Sequence, residues 1–212
     1  MDDITPFTDD LEFLEQEIAW VTLRSTRLAT IKDQAEDAKS TRHRTPTWGK
    51  PKNTAEVQVP ADLDAMLAEE QALRASIDAR IAATEAAGVS LGLQKLVRDL
   101  GLLSAERSVL ILALVPCVGT RAVDPLERIG GYALAGAINC DVAARFCEFS
   151  FRDRLTRLRF DSAHKLVAAG LIKGDLDDDA AAGEWPTCSI KLTAQGFAAM
   201  TGLPPTPSSE LP

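Results

Sequence analysis

Gly88-Val89-Ser90-Leu91-Gly92 has the G-x-S-x-G spacing of a nucleophile elbow, in which a strand delivers a serine to a sharp turn before a helix. Here an alanine-rich helical stretch precedes the motif, so Gly88 reads as a helix terminator and Ser90 as a non-catalytic serine. His164 lacks a positioned nucleophile at any recognisable spacing, which removes the simplest acid–base reading. The cysteines at 117, 140, 147 and 188 contain no C-x-x-C and no histidine at metal spacing, so buried thiols are expected in place of a zinc site. No glycine-rich phosphate loop followed by lysine and a hydroxyl residue occurs. The expectation is a chain that is not an enzyme, with no catalytic residue, no metal and no cofactor.

Charge patterning carries more. Arg152, Arg154, Arg157, Arg159 and Lys165 outnumber Asp153 and Asp161, and with His164 they are the candidate DNA-binding residues. Opposed to them, Asp175, Asp177, Asp178, Asp179 and Glu184 occur with no basic residue between Lys173 and Lys191, and these acids are the candidate partner-binding residues. A duplex repels such a segment, which points to contact with protein instead.

The acids, with His164 and Lys165, sit in a stretch that reads as helix, strand, loop, returning strand and closing helix over 161–202, and the four arginines lead into it. Asp161 is expected to cap the first helix and Gly170 to stop it. Leu171 and Ile172 begin a strand, and Ile190 and Leu192 alternate with polar Ser189, Lys191 and Thr193 in the returning one. Thr193 can cap the last helix, whose apolar face is Phe197 and Met200, with Gly202 ending it. This order is that of a winged helix, and the acidic loop is its wing.

Upstream, residues 8–39 lack glycine and proline, and Leu11, Leu14, Ile18, Val21 and Leu28 recur at steps of three and four, which predicts a long amphipathic helix. Ser25 breaks that seam where an apolar residue is expected, favouring a packed hairpin over a coiled coil. Leu63, Leu67, Leu73, Ile77 and Ile81 mark its antiparallel partner over 61–87. Helices are also expected at 91–100, after Ser104 as cap, after Asp124-Pro125, and over 138–147 and 151–159. The fold class is mainly α, with a helical hairpin over 1–89, a basic proline-containing loop at 39–60, a winged-helix domain over 90–203 and a flexible tail or linker at 204–212.

With 46% hydrophobic and 25% charged residues among 212, the chain can bury a core. Its net charge of −8 opposes non-specific attraction to nucleic acid or membrane, although the loop with Lys39, Arg42, His43, Arg44, Lys50, Lys52 and Trp48 could grip phosphates and stack on bases. The acidic start and the lack of a long apolar run predict a cytoplasmic protein that does not use a membrane.

SLGLQKLVRDLGLLSAERSVLILALVP and CDVAARFCEFSFRDRLTRLRFDSAHKLVAAGLIK together resemble the amino-terminal winged-helix region that precedes the ATPase module in a group of bacterial AAA-type ATPases. The resemblance covers about residues 90–202 and implies a docking or regulatory domain. No ATPase module is present, so the chain is expected to be either a fragment ending in a linker or a stand-alone relative. The leading expectation is a non-catalytic protein-interaction domain with a protein partner. The alternative is a winged-helix transcription regulator that binds DNA.

Overall fold

A computed structural model describes residues 4–42, 62–119, 121–150, 152–154, 160–175 and 185–204. Most of loop 39–60 and nearly all of the tail lie outside the described residues. Among those described, no single helix is long and apolar enough to cross a membrane.

Helix α1 runs Asp10–Arg42. Its start is capped reciprocally: the Asp9 carboxylate accepts the Glu12 amide at 2.8 Å, while Glu12 accepts the Thr8 amide and hydroxyl. Phe13, Leu14, Val21 and Ala29 are buried along one face, at the spacing expected of an amphipathic helix. Ser25 is fully buried in the same seam, its hydroxyl donating to the Thr22 carbonyl.

Helix α2, Leu63–Ala86, starts at an Asp62 cap that accepts the Ala65 amide. Arg80 reaches Glu12, Arg74 reaches Glu17 and Arg27 reaches Glu70, so later residues of α2 meet earlier residues of α1 and the two run antiparallel. Helix α1 is not confined to that pairing. Lys32 donates to the Arg128 carbonyl, Arg24 to the Phe146 carbonyl, and Glu17 receives Arg107.

The Arg80 hydrogen bond, followed by those from Thr8, lowers the Glu12 pKa from 4.5 to about 2. A depressed folded-state pKa means that Glu12 supports the fold fully above about 4.5 and loses that support as pH falls through about 2. Urea midpoints measured from pH 6 to pH 2 should therefore fall in the wild type, and Glu12→Gln should flatten part of that fall.

Helices α3 (Gly92–Asp99), α4 (Ser104–Val118), α5 (Val123–Gly130) and α6 (Cys140–Phe146) follow. Residues 109–115 of α4 are all buried, as expected of a helix apolar on every side. Three boundaries differ from expectation. Ser104 lies inside α4, and the Leu103 amide is instead satisfied by Glu106 at 2.6 Å. Helix α5 begins at Val123, before Asp124-Pro125. The expected helix over 138–147 is divided, because Ile138–Asn139 forms strand β1 and only then does Asn139 cap α6 by accepting the Val142 amide.

Strands β2 (Ile172–Gly174) and β3 (Ser189–Leu192) complete, among the described residues, a three-stranded antiparallel sheet of order β1-β3-β2. Ile138 pairs with Ile190, and Ile172 with Leu192. Ile138, Ile172 and Ile190 are all buried, while Lys173 and Lys191, paired with each other, are exposed.

The short helix α7 is Lys165–Ala168, and the closing helix α8 is Ala194–Thr201. Thr193 caps α8 by accepting the Gly196 amide at 2.9 Å, and Gly202 ends it at φ 66°, both as expected. A Cβ on Gly196 would collide with the Leu171 carbonyl, and one on Gly92 with the Ala199 carbonyl. Glycine at these two positions lets α8 approach the strand and α3 closely.

Candidate functional site

The expected recognition helix proves short. Asp161 forms a turn by accepting the Ala163 amide at 3.2 Å, and helix begins only at Lys165. His164 is the cap, its Nδ1 accepting the Leu166 amide at 3.2 Å. Its ring lies 4.5 Å from that of Phe160, beside a 150 Å³ recess lined by Leu103, Val109 and Phe149. Burial, together with the nearby Lys165 charge, lowers the His164 pKa from 6.5 despite opposition from Glu106 and Asp161, so the imidazole is neutral at pH 7. A neutral, half-buried ring occupied in capping is a poor phosphate ligand.

The neighbouring cations are similarly engaged. Lys165 donates to the Gly101 carbonyl at 3.0 Å and pairs with Glu106 at 2.9 Å. Arg154 binds Asp141 at 3.1 Å, and Asp141 also holds Arg145 at 2.6 Å. Arg152 is exposed. Arg157 and Arg159 lie outside the described residues. The structure thus sets His164 and Lys165 at the short helix and Arg154 against α6, each with a polar atom bonded within the protein.

On the acidic side, Asp175 is exposed and accepts the Ser189 amide at 2.7 Å, tying the end of β2 to the start of β3. Burial alone would raise its pKa, but the hydrogen bonds from Ser189 and Cys188 outweigh it and lower the value. Asp177, Asp178, Asp179 and Glu184 lie outside the described residues. At the other serine singled out, Ser90 is exposed between the C-terminal end of α2 and the start of α3, a context without the strand that an elbow requires.

A second surface was not signalled by the charge runs. Trp20 stands at the meeting of three open recesses of 380, 600 and 440 Å³. Arg24 and Arg74 lie 5.6 and 5.4 Å from its ring centre, and Phe146 packs edge-on at 5.7 Å and 88°. Beneath them, Glu70 binds Arg24 at 2.6 Å and Arg27 at 2.7 Å, while Glu148 binds Arg24 from the exposed side. Glu148 holds φ 51°, a conformation unusual for a residue other than glycine, where the chain leaves α6. The available sequence signal was Trp20, Arg24 and Arg27 at helical spacing beside an apolar seam. Aromatic side chains and arginine together are enriched at protein interfaces.

The short helix, the capped closing helix and the three-stranded sheet decide the fold, and the model of the family described as "Winged helix domain, variant" matches residues 1–202. The chain belongs to that family. No curated protein and no solved structure matches it. The match takes in α1 and α2 as well as the sheet, so in this winged-helix domain the long helices fall within the family's own span.

Proposed function

We propose that this winged-helix domain is a non-catalytic protein-interaction module. The observation that carries the reading is the engagement of His164 and Lys165 within the protein at a recognition helix of a single turn, with Arg154 paired to Asp141 of α6. A DNA-reading winged helix must instead aim such groups at phosphates and base edges. The net charge of −8 and the acids Asp175, Asp177, Asp178, Asp179 and Glu184 favour a basic protein surface over a duplex. Helices α1 and α2 serve as a hairpin that presents the Trp20 surface, and the remainder, to about residue 203, carries the wing.

The partner we propose is the ATPase module of an AAA-type ATPase, which this domain would dock in the cytoplasm. Purified AAA-type ATPase modules titrated with the full chain should show binding that weakens at least about tenfold when Asp177, Asp178 and Asp179 are together changed to lysine. Unaltered affinity in that variant would remove the wing from the mechanism. Low-salt binding to duplex DNA, falling steeply with added salt and lost in Arg152→Ala/Arg154→Ala, would replace this reading with a transcription regulator.

A further inference from the structure

None of the four cysteines is joined in a disulfide; Cys117 is exposed, contrary to the expected burial, whereas Cys140 and Cys188 are buried and face each other. The β1–β3 register pairs Ile138 with Ile190 and Asn139 with Ser189, and the next step places Cys140 opposite Cys188. The Cys140 amide donates to the Cys188 carbonyl at 3.0 Å, which extends the ladder to this pair. That bond, together with the hydrogen bond between the two thiols, brings the residues close to the Cα separation of about 5.5 Å of a directly opposed pair, within the usual range for a disulfide. Their Cβ atoms, about 4.5–5.5 Å apart, need approach by only about 1 Å.

Both residues are buried, with relative exposures of 0% and 2%. Cys188 nevertheless lies at the wing's edge, beside Gly174 and hydrogen-bonded to exposed Asp175. We infer that Cys140 and Cys188 form a reversible redox site, closed to a cross-strand disulfide by a hydroperoxide.

Closure needs only the hydroperoxide, and reopening needs a dithiol, which is oxidised to its own disulfide as the protein bond is reduced to two thiols. The Cys188 thiolate attacks one peroxide oxygen, an S–O bond forms as O–O breaks, and the departing oxygen leaves as water after protonation when the oxidant is hydrogen peroxide. Cys140 sulfur then attacks the Cys188 sulfenic sulfur; S–S forms, S–O breaks, and the hydroxide leaves as water with the Cys140 proton. Two thiols lose two electrons and the peroxide gains them. The hydrogen bond from the Cys140 thiol lowers the Cys188 pKa and raises that of Cys140, which makes Cys188 the attacking sulfur.

The bond would clamp the start of α6 to β3, at the base of the wing, and close a loop of nearly fifty residues. Full-length protein treated with hydrogen peroxide should lose about 2 Da, yield a non-reduced peptide joining Cys140 to Cys188, and melt at least about 5 °C higher until dithiothreitol is added. A Cys117→Ser/Cys147→Ser chain should behave identically, whereas Cys140→Ala and Cys188→Ala should each abolish both the linked peptide and the shift. If either alanine variant does not fold, the peptide map of the Cys117→Ser/Cys147→Ser chain alone decides. Absence of the 140–188 peptide there, or oxidation to sulfinic acid without it, overturns the inference.

Discussion

Glu17→Ala is expected to lower the free energy of unfolding by about 3–5 kcal/mol, a fall in Tm on the order of 10 °C for a chain of this size. Glu17 is fully enclosed, and its two carboxylate oxygens accept Arg74 at 3.0 Å and Arg107 at 2.5 Å. One side chain of α1 thereby joins α2 to α4. Truncation leaves a void and removes the counter-charge from two guanidiniums that are themselves only 21% and 16% exposed. Arg74 keeps Asp78 at 2.7 Å, so the greater loss falls on Arg107. Urea denaturation distinguishes this account from simple cavity formation. Glu17→Gln preserves volume and some hydrogen bonding and should lose less, whereas replacing Glu17, Arg74 and Arg107 together by Met, Leu and Leu should recover most of the loss, because no charge then remains buried.

Periodicity and caps make much of the fold legible in the sequence itself. The seam at Leu11, Leu14, Ile18, Val21 and Leu28 located α1, although Leu11 proves exposed at the helix start; Gly170 marked the end of α7, and Thr193 with Gly202 bracketed α8. These signals are local, since a cap or a left-handed residue is recognised within one turn. Strand β1 has no comparable signal. It is two residues long, sits directly before a helix, and exists only because Ile138 and Asn139 meet Ile190 and Ser189 some fifty positions later. Tertiary pairing overrode the apparent helical run over 138–147.

The candidate site was legible as residue types but not as roles. His164 stands out in sequence as a potential DNA reader, and the packing of Phe160 and the demand of the Leu166 amide convert it into a cap. Lys165 similarly answers Glu106, a residue of α4. The Trp20 surface was missed for the opposite reason. Apolar periodicity assigns charged positions to solvent, whereas here Glu17, Glu70 and Arg27 are buried. Ser25 belongs to the same pattern, buried within the seam because its hydroxyl is satisfied within its own helix.

Phe146→Ala should cost about 3–5 kcal/mol and open the Trp20 surface at the same time. The ring ends α6, is 1% exposed and meets the Trp20 ring edge-on. Arg24 lies 5.3 Å from the Phe146 ring centre and donates to the Phe146 carbonyl at 2.9 Å, so the aromatic contact and the hydrogen bond place the same guanidinium. Alanine keeps the carbonyl but deletes the ring that fixes the direction of Arg24, and the bonds of Arg24 to Glu70 and Glu148 then lose their support. Phe146→Leu retains apolar bulk without an aromatic face and should cost less than alanine in urea denaturation. If the Trp20 surface takes part in docking, partner affinity should fall in Phe146→Leu by more than its stability loss accounts for, measured where each variant is still fully folded. A leucine variant with wild-type affinity would confine Phe146 to the core and leave the wing as the sole proposed contact.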